Sequence, residues 1–348
     1  MEKEKGMTYK KAGVNIKEAD RFTAMIREKI SKAWPDAGKE IGGFAGGGPI
    51  PPWINWVDGS VDGVGTKLKI AALMRQLSTI GQDAVAMSAV DGFINNSDPE
   101  YLFDYLAVEK LDADYHIQII DGLIAACKLA GCKLVGGETA EMPGFFKYPW
   151  LFDLTTMVIS FKDTTNPYVA IEEGFDIYGW ESHGAASNGY SLFRKVFNLD
   201  DYPSKARKRL EKRLPELGNK TLGECLLEPT PIWISAIKHA KQKGVRFGGH
   251  AHMTGGGIEN IPRALTGNLK AVINRSNWAR PAIFALTQKR GNISTDEMEH
   301  VSNNGIMVVS FVDPSGPAID GRAIRIGTVE KRKAGEKAVK MTGRYNEE

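Results

Sequence analysis

The segment Asp62-Gly-Val-Gly-Thr-Lys67 contains residue types that bind phosphate and Mg2+. Gly63 and Gly65 leave backbone N–H groups free to face an anion. Lys67, which follows Thr66, adds a compact positive charge. Asp62 offers the hard oxygen ligand that Mg2+ prefers. Because the spacing is not that of a Walker A loop, the segment predicts either a phosphate and metal site or a plain strand-to-helix turn with a surface lysine.

Three acidic residues in the first half of the chain are further candidates for chemistry. Glu138 and Glu141 lie three residues apart in the glycine-rich run Gly136–Gly144. There they could hold a metal or orient a substrate amide, or they could form a cap at the start of a helix. Asp91 interrupts the apolar stretch 84–94. An unpaired carboxylate is costly to bury, so its position indicates either a cation partner or a helix end.

Two polar loops in the second half also contain glycine. They are Ser187, Asn188 and Gly189 in one loop, and Thr254, Gly255 and Gly256 in the other. Asn188 is a good N-cap for a following helix, and such an N-terminus can also bind an anion. The other loop could close over a phosphate, with His252 beside it as a donor, although an ordinary turn explains either loop taken alone. His250 and His252 would share one strand face, but no third metal ligand stands nearby.

The hydrophobic pattern predicts the elements that position these residues. Helices are predicted over 17–34, 114–130 and 190–197. Strands are predicted over 53–62, 133–135, 154–161 and 175–180. Pro35 ends the first helix and Gly131 caps the second. The segment 41–49 has too much glycine for either a helix or a strand.

Length and composition indicate an ordinary globular protein of two domains. The chain has 348 residues, 42% hydrophobic and 25% charged. The polar segment 163–174 predicts a boundary between domains 1–168 and 169–348. A net charge of +3 gives no argument for a nucleic-acid partner. Without a signal-peptide pattern or an apolar run of membrane length, we predict a cytoplasmic protein with three reduced cysteines and no membrane partner.

Seven motifs follow one another along the chain: Thr8–Val14, Gly42–Gly46, Asp62–Leu68, Val135–Gly144, Ser187–Leu192, Leu227–Thr230 and Thr254–Arg263. In combination, they resemble those of the phosphoribosylformylglycinamidine cyclo-ligases, also called aminoimidazole ribonucleotide synthetases. The resemblance extends from about residue 8 to about residue 330.

This resemblance implies an α+β fold of two domains, in which the N-terminal sheet pairs with that of a dimer mate to form a barrel. It implies a homodimer that uses ATP and Mg2+ to convert a small nucleotide substrate, formylglycinamidine ribonucleotide, into aminoimidazole ribonucleotide, ADP and phosphate.

The resemblance also implies roles for individual residues. The expected Mg2+ ligands are Asp62 and Asp91. The expected ATP-binding residues are Gly42, Gly43, Phe44, Gly46, Asp62, Gly63, Gly65, Thr66 and Lys67. The expected catalytic residues are Lys67, Glu138, Glu141 and His252. The expected substrate-binding residues are Ser187, Asn188, Gly189, Thr254, Gly255, Gly256 and Arg263.

Several positions depart from the family pattern, and two of them keep alternatives open. Val90 stands where the family has Asn, and Ala186 stands where it has His. One alternative is a related ATP enzyme of the same fold, similar to thiamine monophosphate kinase or selenophosphate synthetase. Another is a catalytically silent nucleotide-binding member of the family.

Overall fold

The computed structural model describes residues 12–162 and 164–347, so the first four residues of the motif Thr8–Val14 lie outside it. The first half of the chain forms a four-stranded sheet with helices on one face. In chain order its elements are α1 (Ile16–Ala33), α2 (Pro35–Glu40), β1 (Val57–Gly63), α3 (Lys67–Met74), α4 (Ile80–Ile94), β2 (Ser97–Val108), α5 (Ala113–Ala130), β3 (Lys133–Glu141) and β4 (Phe152–Lys162).

Two helices confirm the sequence prediction to within one residue at each end. In α1, Phe22 and Ile30 are buried, and the backbone becomes extended at Trp34, immediately before Pro35. In α5, Asp112 accepts the N–H of Tyr115 as the N-cap, and Gly131 ends the helix at φ 80°. Both helices therefore follow from apolar spacing together with local start and stop signals.

The sheet of the first half has the strand order β1-β4-β2-β3. Pairing is antiparallel between β1 and β4 and between β4 and β2, whereas β2 and β3 are parallel. Helix α4 packs on the inner face of this sheet and is buried along most of its length. The opposite, outer face exposes apolar side chains, among them Val61 and Met157.

The second half is built on a six-stranded sheet of order β11-β7-β10-β5-β9-β6. In chain order its elements are β5 (Asp176–Glu181), α6 (Tyr190–Val196), α7 (Pro203–Leu210), α8 (Leu222–Leu226), α9 (Ile234–Gln242), β6 (Phe247–His252), β7 (Leu269–Asn274), β8 (Ala279–Arg280), α10 (Ala282–Gly291), α11 (Thr295–Val301), β9 (Ile306–Val312), β10 (Ile324–Lys331), β11 (Val339–Thr342) and β12 (Asn346–Glu347). One apolar cluster includes residues of both halves, among them Leu68, Tyr190 and Leu226, so the two halves pack against each other.

Three predictions about elements need correction. Strand β1 begins at Val57 rather than at residue 53. Strand β3 continues to Glu141, because Gly136–Glu141 pairs with β2 despite its glycines, so the alternative of a helix cap there was wrong. Helix α6 begins after Gly189, which supplies no side-chain cap, so Asn188 is not the N-cap. The boundary at 168/169 stays a prediction, lying between the end of β4 and the start of β5.

All three cysteines are free thiols. Cys127 and Cys132 are buried beside each other at the end of α5, and Cys225 is partly exposed on α8. Within the described part of the chain, no helix is both long and apolar enough to span a membrane.

Candidate active site

Asp62 lies at the end of β1, where the chain turns towards α3. Gly65 has φ 71° in this turn, and Thr66 is exposed. The carboxylate of Asp62 is half-buried and accepts the N–H of Gly63 at 2.7 Å. Burial raises the pKa of Asp62, and the nearby charge of Asp91 raises it further. Two carboxylates from distant parts of the chain thus lie close enough to repel each other.

Asp91 is held by a histidine from the other half of the chain. It lies near the end of α4, and its Oδ1 is 2.7 Å from Nδ1 of His252 at the end of β6. The His252 ring is buried and its Nε2 has no hydrogen-bond partner among the described residues, while the Asp91 carboxylate is 39% exposed. Asp62, Asp91 and His252 therefore converge at the junction of the two halves.

The two strand histidines do not form a metal pair. His250 Nδ1 lies 2.6 Å from Ser310 Oγ, and burial lowers the pKa of His250 to about 3, which keeps the ring neutral. Among residues 12–162 and 164–347, no three His, Cys, Asp or Glu side chains form a cluster that could hold a metal ion.

Lys67 begins α3 and is completely buried, so the alternative of a surface lysine was wrong. Its Nζ lies 2.9 Å from Oδ1 and 2.8 Å from Oδ2 of Asp83 on α4. It also donates to the carbonyl oxygens of Ala186 and Glu228 at 2.9 Å and 2.7 Å. Since an ammonium group has three donors, these contacts occupy all of them. Binding of ATP phosphates by Lys67 stays a prediction, and this geometry does not favour it.

The two polar loops of the second half lie side by side. A Cβ added to Gly255 would lie 3.6 Å from Oδ1 of Asn188. The backbone at Gly257, with φ 51°, approaches so closely that a Cβ would lie 1.9 Å from the carbonyl oxygen of Glu299. Gly189, at φ 78°, approaches the carbonyl oxygen of Val301 in the same way. The end of α11 therefore supports both loops.

The remaining residues predicted for substrate binding differ in their surroundings. Ser187 is buried, with its Oγ 3.3 Å from Oγ1 of Thr230. Thr254 follows β6 and is partly exposed. Arg263 is exposed at the end of the 3-10 helix Gly257–Arg263. The structure thus brings Ser187 and Asn188 close to Gly255 but does not show Arg263 joining them.

The glycine-rich loop Gly42–Gly46 covers a cavity of about 640 Å³. The cavity is also lined by Asp104 of β2, Glu138 of β3 and residues of α1. Phe44 is fully exposed at the tip of this loop. At Gly46 a Cβ would lie only 2.0 Å from the carbonyl oxygen of Val135, so a side chain there would push the loop away from β3.

Asp104 was not predicted from the sequence. Desolvation raises its pKa to about 7, with a further contribution from Glu138. The signal that could have found it is a lone acidic residue within the otherwise apolar segment Tyr101–Val108. Perturbed carboxyls that line a cavity are candidates for function.

The two glutamates predicted to be catalytic have different environments. Glu138 is exposed and lies in a cross-strand row with Tyr105, Thr155 and Gly63 on the outer face of the sheet. Glu141 accepts the backbone N–H of Asn15 at 2.7 Å through Oε2. Its Oε1 accepts the N–H of Leu111 at 2.9 Å. In this structure Glu141 fastens the start of α1 to the sheet, and its catalytic role stays a prediction.

Comparison with known proteins identifies the family. Residues 56–160 match the family model described as AIR synthase related protein, N-terminal domain, and residues 172–340 match the corresponding C-terminal domain. The phosphoribosylformylglycinamidine cyclo-ligase of Thermoanaerobacter pseudethanolicus is 42% identical over 314 residues, which is 89% of this chain and 91% of the relative. That of Caldicellulosiruptor bescii is 38% identical over 347 residues, or 94% and 98% of the two chains. The chain belongs to the phosphoribosylformylglycinamidine cyclo-ligase family.

Solved structures at lower identity share the fold of this cyclo-ligase family member. Hydrogenase maturation protein HypE in complex with ATP aligns with a TM-score of 0.60 at 14% identity, covering 90% of this chain and 89% of that one. Thiamine monophosphate kinase from Aquifex aeolicus aligns with a TM-score of 0.53 at 15% identity, covering 84% and 88%. The two-domain architecture with mixed helices and strands is therefore confirmed.

The two departures from the cyclo-ligase pattern are both buried. Val90 packs in the main apolar core. Ala186 packs against Ala86, Met87 and Met307, and it has φ 54°, an uncommon value for a residue other than glycine. Neither position contributes a polar side chain to the site.

Proposed function

We propose that this protein catalyses the ATP-dependent ring closure of formylglycinamidine ribonucleotide to aminoimidazole ribonucleotide, with release of ADP and phosphate, in purine biosynthesis. Cyclo-ligase relatives that match about nine-tenths of the chain support this assignment. The structural observation that carries it is the convergence of Asp62, Asp91 and His252 beside the loops that contain Asn188 and Gly255.

The reaction needs an activated oxygen and a bent substrate. An amide oxygen is a poor leaving group, so the γ-phosphoryl group of ATP is transferred to it and ADP leaves. The amidine nitrogen then attacks the carbon of that amide. The bond from this carbon to the phosphorylated oxygen breaks, and phosphate departs as the imidazole ring forms. Phosphoryl transfer depends mainly on positioning and charge stabilisation. Holding the substrate bent for an intramolecular attack can lower the activation barrier by roughly 7–11 kcal/mol.

Asp62 and Asp91 are the proposed Mg2+ ligands. Mg2+ is commonly held by one or two protein carboxylates together with substrate phosphates, and when bound it neutralises charge on the phosphate oxygens. The residues fit this ion, because burial and, to a smaller extent, the nearby charge of Asp91 raise the pKa of Asp62, and a divalent cation beside the two carboxylates would offset both effects. His252 donates from Nδ1 to Asp91 and so fixes the direction of that carboxylate.

The proposed nucleotide site begins at the cavity beneath the loop Gly42–Gly46. Its volume of about 640 Å³ lies in the usual range for small-molecule sites. The row from Glu138 through Tyr105 and Thr155 to Gly63 crosses the outer face of the sheet from this cavity to the Asp62 turn. Three strand spacings amount to about 14 Å, a length that an extended nucleotide triphosphate can bridge.

The exposed apolar face of the same sheet supports the proposal of a homodimer. Val61 is 63% and Met157 37% exposed, and they are cross-strand partners. Val57, Trp53 and Trp56 extend this apolar surface. A second copy that pairs its sheet here to form a barrel would cover these side chains. Sedimentation of the wild type and of Val61→Glu tests this proposal, which predicts a dimer for the wild type and a monomer for the variant.

The cytoplasmic location also stays a prediction.

Measurement of ADP release by the purified protein with MgATP, with and without formylglycinamidine ribonucleotide, tests the function. We expect ADP release that depends on the substrate, together with the aminoimidazole product. Asp91→Asn should lose this activity, and Asp98→Asn, which removes only a surface ion pair with Lys238, is the matched control. Equal ADP release without substrate would instead indicate a kinase related in fold, and ATP binding without any turnover would indicate a silent member.

A further inference from the structure

A buried network connects the two halves of the protein at Lys67 and Asp83. Both side chains are fully buried. The Oδ1 atom of Asp83 accepts the backbone N–H of Thr230 at 2.9 Å and its hydroxyl at 2.7 Å. The ammonium of Lys67 reaches the carbonyl oxygens of Ala186 and Glu228. Two residues of the first half therefore hold two separate segments of the second half.

The segment at Ala186 is held in an unfavourable backbone conformation. A residue other than glycine at φ 54° is strained, and such strain persists only where the surroundings enforce it. The carbonyl oxygen of this residue accepts from Lys67, which is one of the contacts that enforce the conformation. The segment at Thr230 is fixed as well, because Gln82 Nε2 donates to its carbonyl oxygen at 2.8 Å.

One of these segments continues into the loop predicted to bind the substrate, and the other contacts that loop. Ser187 follows Ala186, and its hydroxyl lies 3.3 Å from that of Thr230. Asn188 comes next and contacts Met87 Sδ on α4. Since Asp91 lies four residues after Met87 on α4, the network and the proposed metal ligand share one helix.

We propose that Lys67 and Asp83 are positioning residues that hold the loop Ala186–Gly189 at a fixed distance from Asp62 and Asp91. This inference rests on the proposed function and deepens it. The ammonium has no donor left for a phosphate and no exposure to solvent, so it acts through the loop rather than on ATP. Misplacement of a substrate-binding group by about 1 Å is enough to slow a reaction about a hundredfold.

The variant Thr230→Val tests the proposal with little risk to folding, because it preserves the shape and removes only the hydroxyl that joins Asp83 to Ser187. We expect the KM for formylglycinamidine ribonucleotide to rise about tenfold, as for the loss of a hydrogen bond to a charged group. The KM for ATP should stay within twofold, and Thr230→Ser should restore the substrate KM. Thr79→Val is the matched control, since the hydroxyl of Thr79 is buried at the start of α4, the helix of Asp83, and has no hydrogen-bond partner in the described part of the chain.

Three outcomes would overturn the proposal. A rise in the KM for ATP instead of the substrate KM would place Lys67 at the phosphates. Kinetic constants equal to those of Thr79→Val, with a lower melting temperature only, would make the network merely structural. Failure of Thr230→Ser to restore the substrate KM would show that the hydroxyl is not the group that matters. Absence of substrate-dependent ADP release by the wild type is a different result, which would overturn the proposed function itself.

Discussion

Removal of the buried pair one residue at a time should show strong coupling between Lys67 and Asp83. Removing one partner of a buried ion pair costs about 3–5 kcal/mol, because the other charge stays buried without compensation. Lys67→Met leaves Asp83 with the two donors of Thr230, so we expect the free energy of unfolding to fall by about 3 kcal/mol. Asp83→Leu leaves the ammonium of Lys67 with carbonyl acceptors alone, so we expect the free energy of unfolding to fall by about 5 kcal/mol.

The double variant Lys67→Met/Asp83→Leu should cost much less than the sum of the single changes. It buries no charge, and its remaining cost comes from unpaired carbonyl, N–H and hydroxyl groups, which we place at about 4 kcal/mol in all. The sum of the single changes is about 8 kcal/mol, so the expected coupling energy is about 4 kcal/mol. Urea denaturation followed by tryptophan fluorescence measures the free energy of unfolding of each variant.

A control on the same helix makes this prediction specific. Lys69 lies two residues after Lys67 and pairs with Asp200 at a partly exposed position. Lys69→Met should therefore cost under about 1 kcal/mol. A double variant that costs the full sum would refute the reasoning, because the two side chains would then act independently. Equal costs for Lys67→Met and Lys69→Met would refute it as well.

Three further predictions concern the proposed nucleotide and metal sites. Gly46→Ala should raise the KM for ATP about tenfold, because its Cβ would lie 2.0 Å from the carbonyl oxygen of Val135 and displace the loop. His252→Ala should raise the free Mg2+ concentration for half-maximal ADP release by about 10–100-fold, since the ring orients Asp91. Asp104→Asn should stabilise the protein, relative to the wild type, increasingly from about pH 4 to about pH 7. The pKa of Asp104 is raised to about 7 in the folded protein, so the wild type loses folding stability as the pH rises through this window, whereas the amide does not ionise. Urea denaturation at pH 5 and pH 8 measures the last effect.

Each of these predictions has its own control. Gly47→Ala adds a Cβ that meets nothing within 4 Å, so an equal effect on the ATP KM would contradict the clash at Gly46. His252→Asn keeps a donor near the Nδ1 position, and an unchanged Mg2+ requirement in His252→Ala would exclude the orienting role. Asp153→Asn changes an exposed residue of the neighbouring strand, and the same pH dependence there would show that Asp104 is not the cause.

Local signals in the sequence predicted part of this structure well. Helix α5 has an aspartate N-cap, a regular apolar spacing and a glycine C-cap, and all three act within a few residues. Helix α4 was not predicted, because its residues are buried on all sides and show no amphipathic period. Strand β3 was cut short in the prediction, because its glycines favour a loop until the parallel pairing with β2 is known.

The candidate site depends on contacts that no local pattern contains. The motif residues Asp62 and Asp91 were predicted to act together, and the structure places them close to each other. The surroundings of Lys67 could not be predicted, because its partners lie 16, 119 and 161 residues away in the chain. The same holds for Glu141, whose carboxylate is bound by a backbone group 126 residues away.

The three free cysteines provide intrinsic probes of how the molecule opens. Burial raises the pKa of Cys127 well above its usual value, and Cys132 is buried next to it, so a thiol reagent can reach them only when the end of α5 opens. Cys225, on the other side of the junction, is partly exposed and lies five residues before Thr230. The labelling rate of Cys127 and Cys132 in the native protein would therefore time the opening of the first half, whereas that of Cys225, which is already partly exposed, would report changes in accessibility on α8. Nucleotides that close the site should slow the labelling of Cys225 without affecting the pair in α5.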